Sequence, residues 1–253
     1  MKIRRAEFDK IIYAIITGEI AVRTAEMTMD VASAIGLISA ELRMVGMKIV
    51  SGHDFAEYAD LVAASNRVLT EHFAIDYHTL SPVEGFWIVL TDGSGMPAAT
   101  VAARLDCLGP MTLAQHWKMY LPRIYSSKTS GTVTISQRQH GFCQEVSGRV
   151  AYLGEMWVKD KFRKQGLAKK LAILVQLVAL LQFDPDFIYC WMWEDRAKSG
   201  FAQACGFTEV VARGIRWENP PSNKSEIAKL WLAGNRKSRL FDLALNVLEC
   251  ALE

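Results

Sequence analysis

Residues 163–168, Arg-Lys-Gln-Gly-Leu-Ala, join a glycine and basic side chains at the start of an apolar helical pattern. The first backbone N–H groups of a helix have no partner within it, and the helix dipole places partial positive charge there. Gly166 and Ala168 have no bulky side chain to keep an anion away from these groups, and Gly166 tolerates left-handed dihedrals. The segment therefore predicts a phosphate site. Four side chains add positive charge: Arg163, Lys164, Lys169 and Lys170.

The elements on either side place this glycine between a strand and a helix. Residues 149–159 are rich in β-branched and aromatic residues and have the length of a strand. After a short turn at 160–162, apolar residues recur at helical spacing: Leu167, Leu171, Leu174, Val178 and Leu181. A strand, a glycine turn and a helix are the context that phosphate binding by backbone N–H groups requires.

This arrangement resembles the GNAT superfamily of acyl-CoA N-acyltransferases, whose signature is Arg/Gln-x-x-Gly-x-Gly/Ala with an upstream valine. Arg163, Gly166 and Ala168 match the signature, and Val158 lies at the valine position. Downstream, 187–193 is an apolar run typical of a buried strand, and a short helix before Gly206-Phe207 is similar to the closing helix of the family. The resemblance covers about residues 153–207, and element order extends it to Met47.

The resemblance implies a fold, a co-substrate and a reaction. The fold would be α/β (α+β), with a mixed, mostly antiparallel central sheet flanked by helices. The reaction would be transfer of an acetyl group from acetyl-CoA to a primary amine of a small molecule or protein by direct attack. The family's pantetheine arm pairs with the signature strand, here Met156, Trp157 and Val158. The pyrophosphate would lie against Arg163, Lys164, Gln165, Gly166, Leu167 and Ala168.

Glu155 is the first candidate for the general base, because it lies on the signature strand and a partly apolar site would raise its pKa. Alternatively, Glu155 faces solvent or pairs with a lysine. Glu194 and Asp195, after the next strand, are second candidates, and Asp195 could instead cap a helix.

The general acid is less well defined. Many GNAT enzymes have a tyrosine four residues before the glycine of Gly-Phe, and this position is Ala202 here. Ser199, Tyr189 or water could protonate the leaving thiolate instead. Ala202 also leaves open a second class of function, a non-catalytic GNAT-like module that binds acyl-CoA and acts through its terminal helices as an interaction or regulatory protein.

We predict three parts along the chain. Residues 1–46 form two helices with a break near Gly18, whose apolar stripes pack against the core or against a second copy of the chain in a homodimer. Residues 47–218 form the acyl-CoA-binding domain, with 209–217 as its last strand. Residues 219–253 form a C-terminal helical extension after a Pro-Pro break.

Within the second part, a strand at 47–51, a helix from Asp54 to about Leu69 and a hairpin over 86–105 precede the signature strand. An insertion at 111–148 holds a predicted helix at 111–125 and then a polar stretch, which we expect to be a functional loop or disordered. Trp191 and Trp193 alternate on one strand, as core residues or as walls of an acceptor pocket.

Composition bears on the partners, the compartment and the metal content that we expect for this protein. The 253 residues carry a net charge of +2, which gives no reason to expect nucleic acid or membrane as partners. The five scattered cysteines suit free thiols in a reducing cytoplasm, and we expect no signal peptide because charged residues interrupt the N-terminal apolar region. The five histidines have no metal-ligand spacing, so we predict structural or exposed roles for them and no metal site.

Overall fold

The computed structural model describes residues 24–126 and 131–251. The helices in this part of the chain are α1 (Ala25–Met44), α2 (Phe55–Ala63), α3 (Leu113–Tyr125), α4 (Phe142–Glu145), α5 (Leu167–Phe183), α6 (Glu194–Lys198), α7 (Phe201–Ala204) and α8 (Lys237–Cys250). The strands are β1 (Lys48–Gly52), β2 (Gly85–Thr91), β3 (Pro97–Gly109), β4 (Thr134–Ile135), β5 (Gly148–Val158), β6 (Phe187–Met192), β7 (Glu209–Val211), β8 (Trp217–Asn219) and β9 (Trp231–Arg236). Residues Asp160–Phe162 and Ser222–Lys229 are 3-10 helical.

The central sheet has seven strands in the order β1-β2-β3-β5-β6-β9-β7. Its strands pair antiparallel except β5 and β6, which run parallel. Helix α5 makes the crossover between these two strands. The predicted fold class, a mixed and mostly antiparallel sheet flanked by helices, is confirmed.

Two apolar layers cover the sheet. On one face lie α1, α5 and α8, and on the other lie α2, α3 and the segments around β4 and β8. Helix α5 is apolar around most of its circumference because the sheet lies on one side and α1 and α8 lie on others. This packing fixes the position of the α5 N-terminus relative to the sheet. No described helix is both long enough and apolar enough to cross a membrane.

Helix α1 shows where the second predicted N-terminal helix packs. The Thr24 side chain caps it, and its buried residues are Val31, Ala34, Ile38 and Leu42. This stripe packs against α5 and α8 of the same chain, which is the first of the two alternatives for this helix. The first predicted helix and the break near Gly18 lie outside the described residues.

The prediction for the end of the sheet was wrong. Residues 209–217 are not one last strand: β7 ends at Val211, and β8 pairs with β4 in a separate small sheet. The missed strand is β9, which lies between β6 and β7, so residues 219–253 are not a purely helical extension. Strand β9 was not predicted because Gly234 and Asn235 interrupt its apolar pattern. A Cβ at Gly234 would lie 2.5 Å from the Phe187 ring, so close packing requires a glycine there.

The insertion is packed where the structure describes it. Helix α3 begins after Thr112, which forms a capping box with Gln115. Beyond residues 127–130, β4 pairs with β8, and Val133, Ile135 and Cys143 are buried. The described part of the polar stretch is therefore an ordered loop that contains one short strand and one short helix, and its functional role stays a prediction.

Two helix predictions need correction. Helix α2 ends at Ala63 rather than near Leu69. The closing helix is split into α6 and α7 at Gly200, whose φ of +79° belongs to the left-handed region. The turn at Gly206-Phe207 is present, and the Phe207 N–H donates to the Ala202 carbonyl.

Asn235 ties β9 to the rest of the core. Its Nδ2 donates to Gln176 Oε1 (2.8 Å) and to the Gly206 carbonyl (2.9 Å), while its Oδ1 accepts from Thr208 N (2.9 Å) and Oγ1 (2.8 Å). Both Asn235 and Gln176 are fully buried. Removal of one amide would leave the other without its partner in an apolar interior.

We therefore expect Asn235→Ala to lower the free energy of unfolding by about 3 kcal/mol or more. Urea denaturation followed by far-UV circular dichroism measures this change. The matched control is Asn246→Ala on the exposed face of α8, which should change stability by less than about 0.5 kcal/mol. Equal effects of the two substitutions would contradict the role given to Asn235.

Candidate functional site

The pairing of β5 with β6 stops partway along both strands, and we call the gap between their ends the cleft. Their parallel pairing runs from Val150 opposite Phe187 to Leu153 opposite Cys190 and stops there. Beyond that point β5 pairs only with β3, and β6 pairs only with β9. The edge of β5 at 154–158 that faces β6 therefore has no strand partner among the described residues, although the Val158 carbonyl accepts a hydrogen bond from Arg163 Nε (3.3 Å). The backbone along this edge can pair with a ligand. Met156, Trp157 and Val158 lie on this edge.

A β-bulge reshapes β5 at the opening. Ala102 pairs with Gly154 and Thr100 pairs with Trp157, so β5 uses one residue more than β3 over this span. Glu155 lies in the bulge with a φ of +58°, a left-handed conformation that is uncommon for a residue with a side chain. A bulge bends its strand and increases the twist, which turns the end of β5 away from β6.

The N-terminus of α5 lies just after this edge. Gly166 is its N-cap residue with a φ of +75°, and no side chain caps the helix. Within the described residues, the backbone N–H groups of 165–169 donate to no acceptor. A Cβ added at Gly166 would meet no atom of the described residues within 4 Å, so this part of the chain leaves the space above the turn open. This corner thus presents consecutive unpaired donors beside an unpaired strand edge.

The basic residues around the turn differ in whether they already form an ion pair. Lys161 pairs with Asp92, Arg163 with Asp160 and Lys170 with Glu41, each at 2.8 Å. Lys164 and Lys169 are exposed and form no ion pair with any described residue. Gln165 supports the turn, because its Nε2 donates to the Lys161 carbonyl (3.1 Å). Lys164 and Lys169 are therefore the charges available to an anion.

Glu155 neither faces solvent nor pairs with a lysine, so both alternatives considered for it were wrong. Its carboxylate is fully buried. Oε1 accepts hydrogen bonds from Thr70 N (2.8 Å) and Thr70 Oγ1 (2.6 Å), and Oε2 lies 3.4 Å from an Arg67 nitrogen. The segment after α2 therefore holds this carboxylate at the bulge.

The other candidate catalytic residues lie in different surroundings. Tyr189 is buried, its hydroxyl accepts from Trp117 Nε1 (3.1 Å), and burial raises its pKa well above the ordinary value. Ser199 is exposed and donates to the Arg196 carbonyl (2.8 Å). Glu194 pairs with Lys198, which lowers its pKa. Asp195 does not cap α6, because Trp193 is the N-cap residue and no side chain accepts there.

A buried polar cluster on the same face as Glu155 was not predicted. The guanidinium of Arg104 is 1 % exposed, pairs with Asp106 (3.1 Å), donates to the His72 carbonyl (2.6 Å) and contacts the Tyr120 hydroxyl. His72 and His78 belong to this cluster, in agreement with structural roles for them. The alternation of Arg104 and Asp106 on β3 was the available signal. No group of three or more His, Cys, Asp or Glu side chains in residues 24–126 and 131–251 is arranged to hold a metal ion.

Comparison with known proteins gives structural neighbours only. No protein-family model matches the chain, and no curated protein matches it. Similar solved structures include the spermidine/spermine N-acetyltransferase SpeG from Vibrio cholerae, at 10% identity over 78% of this chain and 98% of that one, with a TM-score of 0.42. Another is Arabidopsis thaliana NAA60 in complex with acetyl-CoA (14% identity, 75% and 98% coverage, TM-score 0.40). A third is an acetyltransferase of the GNAT family from Staphylococcus aureus (13%, 75% and 99%, TM-score 0.39).

The buried histidines make stability depend on pH. Burial, followed by the charges of Arg104 and Arg123, lowers the pKa of His78 from 6.5 to about 4. The unfolded chain therefore binds more protons in this range, so stability is complete above pH 6.5 and falls as the pH drops towards 4.

We expect His78 to account for about 1–2 kcal/mol of this loss, after allowing for solvent screening at a half-buried site. Urea unfolding at several pH values between 7 and 4.5 measures the slope for the wild type and for His78→Asn. The variant should have the shallower slope, with His72 responsible for part of what remains. An identical slope would show that His78 does not titrate in this way.

Proposed function

We propose that this protein is an N-acyltransferase that moves an acetyl group from acetyl-CoA to a primary amine. The observation that carries the proposal is the run of N–H groups at 165–169 that have no acceptor among the described residues, near a β5 edge that has no strand partner there. One ligand that uses both features must have an anionic diphosphate joined to an extended arm with amide groups. Acyl-CoA has this chemistry, because its pantetheine arm can pair with a strand edge as another strand would.

Each part of the corner has a role in this proposal. The pyrophosphate accepts hydrogen bonds from the turn at 163–168, with Lys164 and Lys169 as neighbouring charges. The arm pairs with Met156, Trp157 and Val158, and a backbone N–H at Trp157 or Val158 polarises the thioester carbonyl. The acyl group then lies between the ends of β5 and β6. Alignment of the two substrates at this point supplies much of the rate.

The reaction is direct attack. The amine nitrogen bonds to the thioester carbon, the carbon–sulfur bond breaks, and the amine loses a proton. Glu155 is the proposed base, receiving this proton through Oε2, whose one hydrogen bond within the described residues is the long contact to Arg67 (3.4 Å). The thiolate takes a proton from water. Among the described residues, no contact of Ser199 or Tyr189 supports an acid role, so their roles as acids stay predictions.

A reducing compartment suits the proposed enzyme. All five cysteines are free, and burial raises the pKa of the Cys143, Cys190 and Cys205 thiols to about 12. Free buried thiols of this kind are typical of proteins kept in a reducing environment. We therefore propose the cytoplasm as the location.

Carrier binding depends on open space and a left-handed residue at the glycine turn. Gly166→Val adds a β-branched side chain over the N–H groups at a φ that valine tolerates poorly, so we expect acetyl-CoA binding to weaken by about 100-fold or more. Isothermal titration calorimetry measures the dissociation constant.

The matched control is Gly109→Val. Gly109 also has a positive φ and open space around it, but lies at the opposite end of β3 from the turn. This variant should suffer similar backbone strain and keep its affinity for acetyl-CoA. Undiminished affinity of Gly166→Val would contradict the assignment of the carrier site.

The base assignment is tested by Glu155→Gln, which keeps an oxygen that can accept from Thr70 but cannot take a proton at neutral pH. We expect the variant to weaken acetyl-CoA binding by no more than about 10-fold, because it loses the Arg67 contact, and to release free thiol about 100-fold more slowly at saturating acetyl-CoA with an amine panel. Calorimetry and a thiol-reactive dye give the two readings. If the variant released thiol at the wild-type rate, Glu155 would be excluded as the base. If the wild-type protein bound acetyl-CoA but released no thiol with any amine of the panel, a non-catalytic carrier-binding protein would be favoured.

A further inference from the structure

We propose that Arg67 and Thr70 are positioning residues that hold the β5 bulge in the form that accepts the carrier. Both lie in the segment between α2 and β2, far from the glycine turn in sequence. We call the two residues the clasp. The inference rests on the proposed function, because the edge that the clasp shapes is the proposed site of the pantetheine arm.

Thr70 holds the side chain of Glu155 with two donors. Its backbone N–H and its hydroxyl both reach Oε1, at 2.8 and 2.6 Å. The Thr70 carbonyl accepts from Phe73 N (3.0 Å) and Ala74 N (2.9 Å), so the residue starts a turn and has a fixed orientation. The Phe73 ring in this turn is fully buried against Phe55 and Tyr152. Because the turn is packed in the core, Thr70 has a fixed position, and its two hydrogen bonds fix the position of the Glu155 carboxylate.

Arg67 reaches three groups around the bulge. Its guanidinium donates to Thr100 Oγ1 (3.1 Å), lies 3.4 Å from Glu155 Oε2, and covers the Trp157 ring at 5.0 Å. The Thr100 hydroxyl in turn donates to the Glu155 backbone carbonyl (2.8 Å). The clasp thus holds Glu155 by its side chain and, through Thr100, by its backbone.

The bulge needs this support because its backbone is unfavourable for glutamate. A non-glycine residue at a φ of +58° persists only where its surroundings impose it. A buried carboxylate likewise requires partners, and the clasp supplies the donors for both of its oxygens. Without the clasp, β5 can return to regular pairing with β3, which would move Met156 to the opposite face.

Affinity for the carrier should therefore follow the fraction of molecules that have the bulge. If only part of the population is competent to bind, the apparent dissociation constant rises by the inverse of that fraction.

The experiment compares Thr70→Val and Arg67→Met with the conservative variant Thr70→Ser and with Arg239→Met. Valine has the shape of threonine without its hydroxyl, whereas serine keeps that donor. Arg239 forms an exposed ion pair with Asp242 on α8 and serves as the control for loss of an arginine. Each protein is titrated with acetyl-CoA by calorimetry, and hydrogen exchange of the 154–158 amides is followed by mass spectrometry without ligand.

We expect Thr70→Val and Arg67→Met to weaken acetyl-CoA binding by about 10-fold and to speed exchange at 154–158. Thr70→Ser and Arg239→Met should match the wild type in both readings. Arg67 is partly exposed, so its variant should fold even if Thr70→Val does not. Wild-type affinity and exchange in a folded Arg67→Met protein would overturn the clasp. Absence of acetyl-CoA binding by the wild type would instead overturn the proposed function.

Discussion

The parting of β5 from β6 is the constraint on which the candidate site depends. Parallel strands in a sheet interior normally satisfy each other's backbone groups along their whole length. Here pairing stops at Leu153 and Cys190, although both strands continue. Each of the two strands loses hydrogen bonds only on the edge that faces the other strand. Their outer edges stay paired, β5 with β3 and β6 with β9. Each strand is therefore held from its outer side while the cleft between them stays open.

Helix α5 places the N–H groups of its first turn near the backbone N–H groups of the β5 edge, so two kinds of donor lie in one region. Because it connects β5 to β6 and is buried along most of its length, its first turn cannot move away from the end of β5. The glycine turn then directs unpaired N–H groups to the same region as the strand edge. Gln176, in the middle of the helix, hydrogen bonds to Cys205 and Asn235, so helix, closing turn and β9 are joined at a buried point. The fold thus fixes the ends of the cleft through its core.

Local signals in the sequence predicted most of the cleft, and long-range contacts account for what was missed. The strand at 149–159, the Gly166 turn and the helix after it were predicted because periodicity and turn chemistry are encoded in neighbouring residues. The bulge at Glu155 was not, because it arises from the register with Thr100 and from donors 85 residues away at Thr70. Strand β9 was missed for a similar reason. Asn235 can be buried in this strand only because Gln176 and Gly206 accept hydrogen bonds from its side-chain amide.

The sheet face that carries Glu155 is covered by segments that are distant in sequence, and for this reason the contacts between them were not predictable. Lys224 in the second 3-10 helix pairs with the buried Glu71 (2.6 Å), which joins residues 222–229 to the segment that carries the clasp. Gln139 donates to the Arg216 carbonyl (2.8 Å) and accepts from its N–H (3.0 Å), so the insertion is joined to the segment before β8. Neither pair belongs to a sequence pattern. Contacts of this kind join segments that are distant in the chain, whereas the glycine turn at 163–168 is built from contiguous residues. The turn was therefore predictable from its own residues, and the covering of the Glu155 face was not.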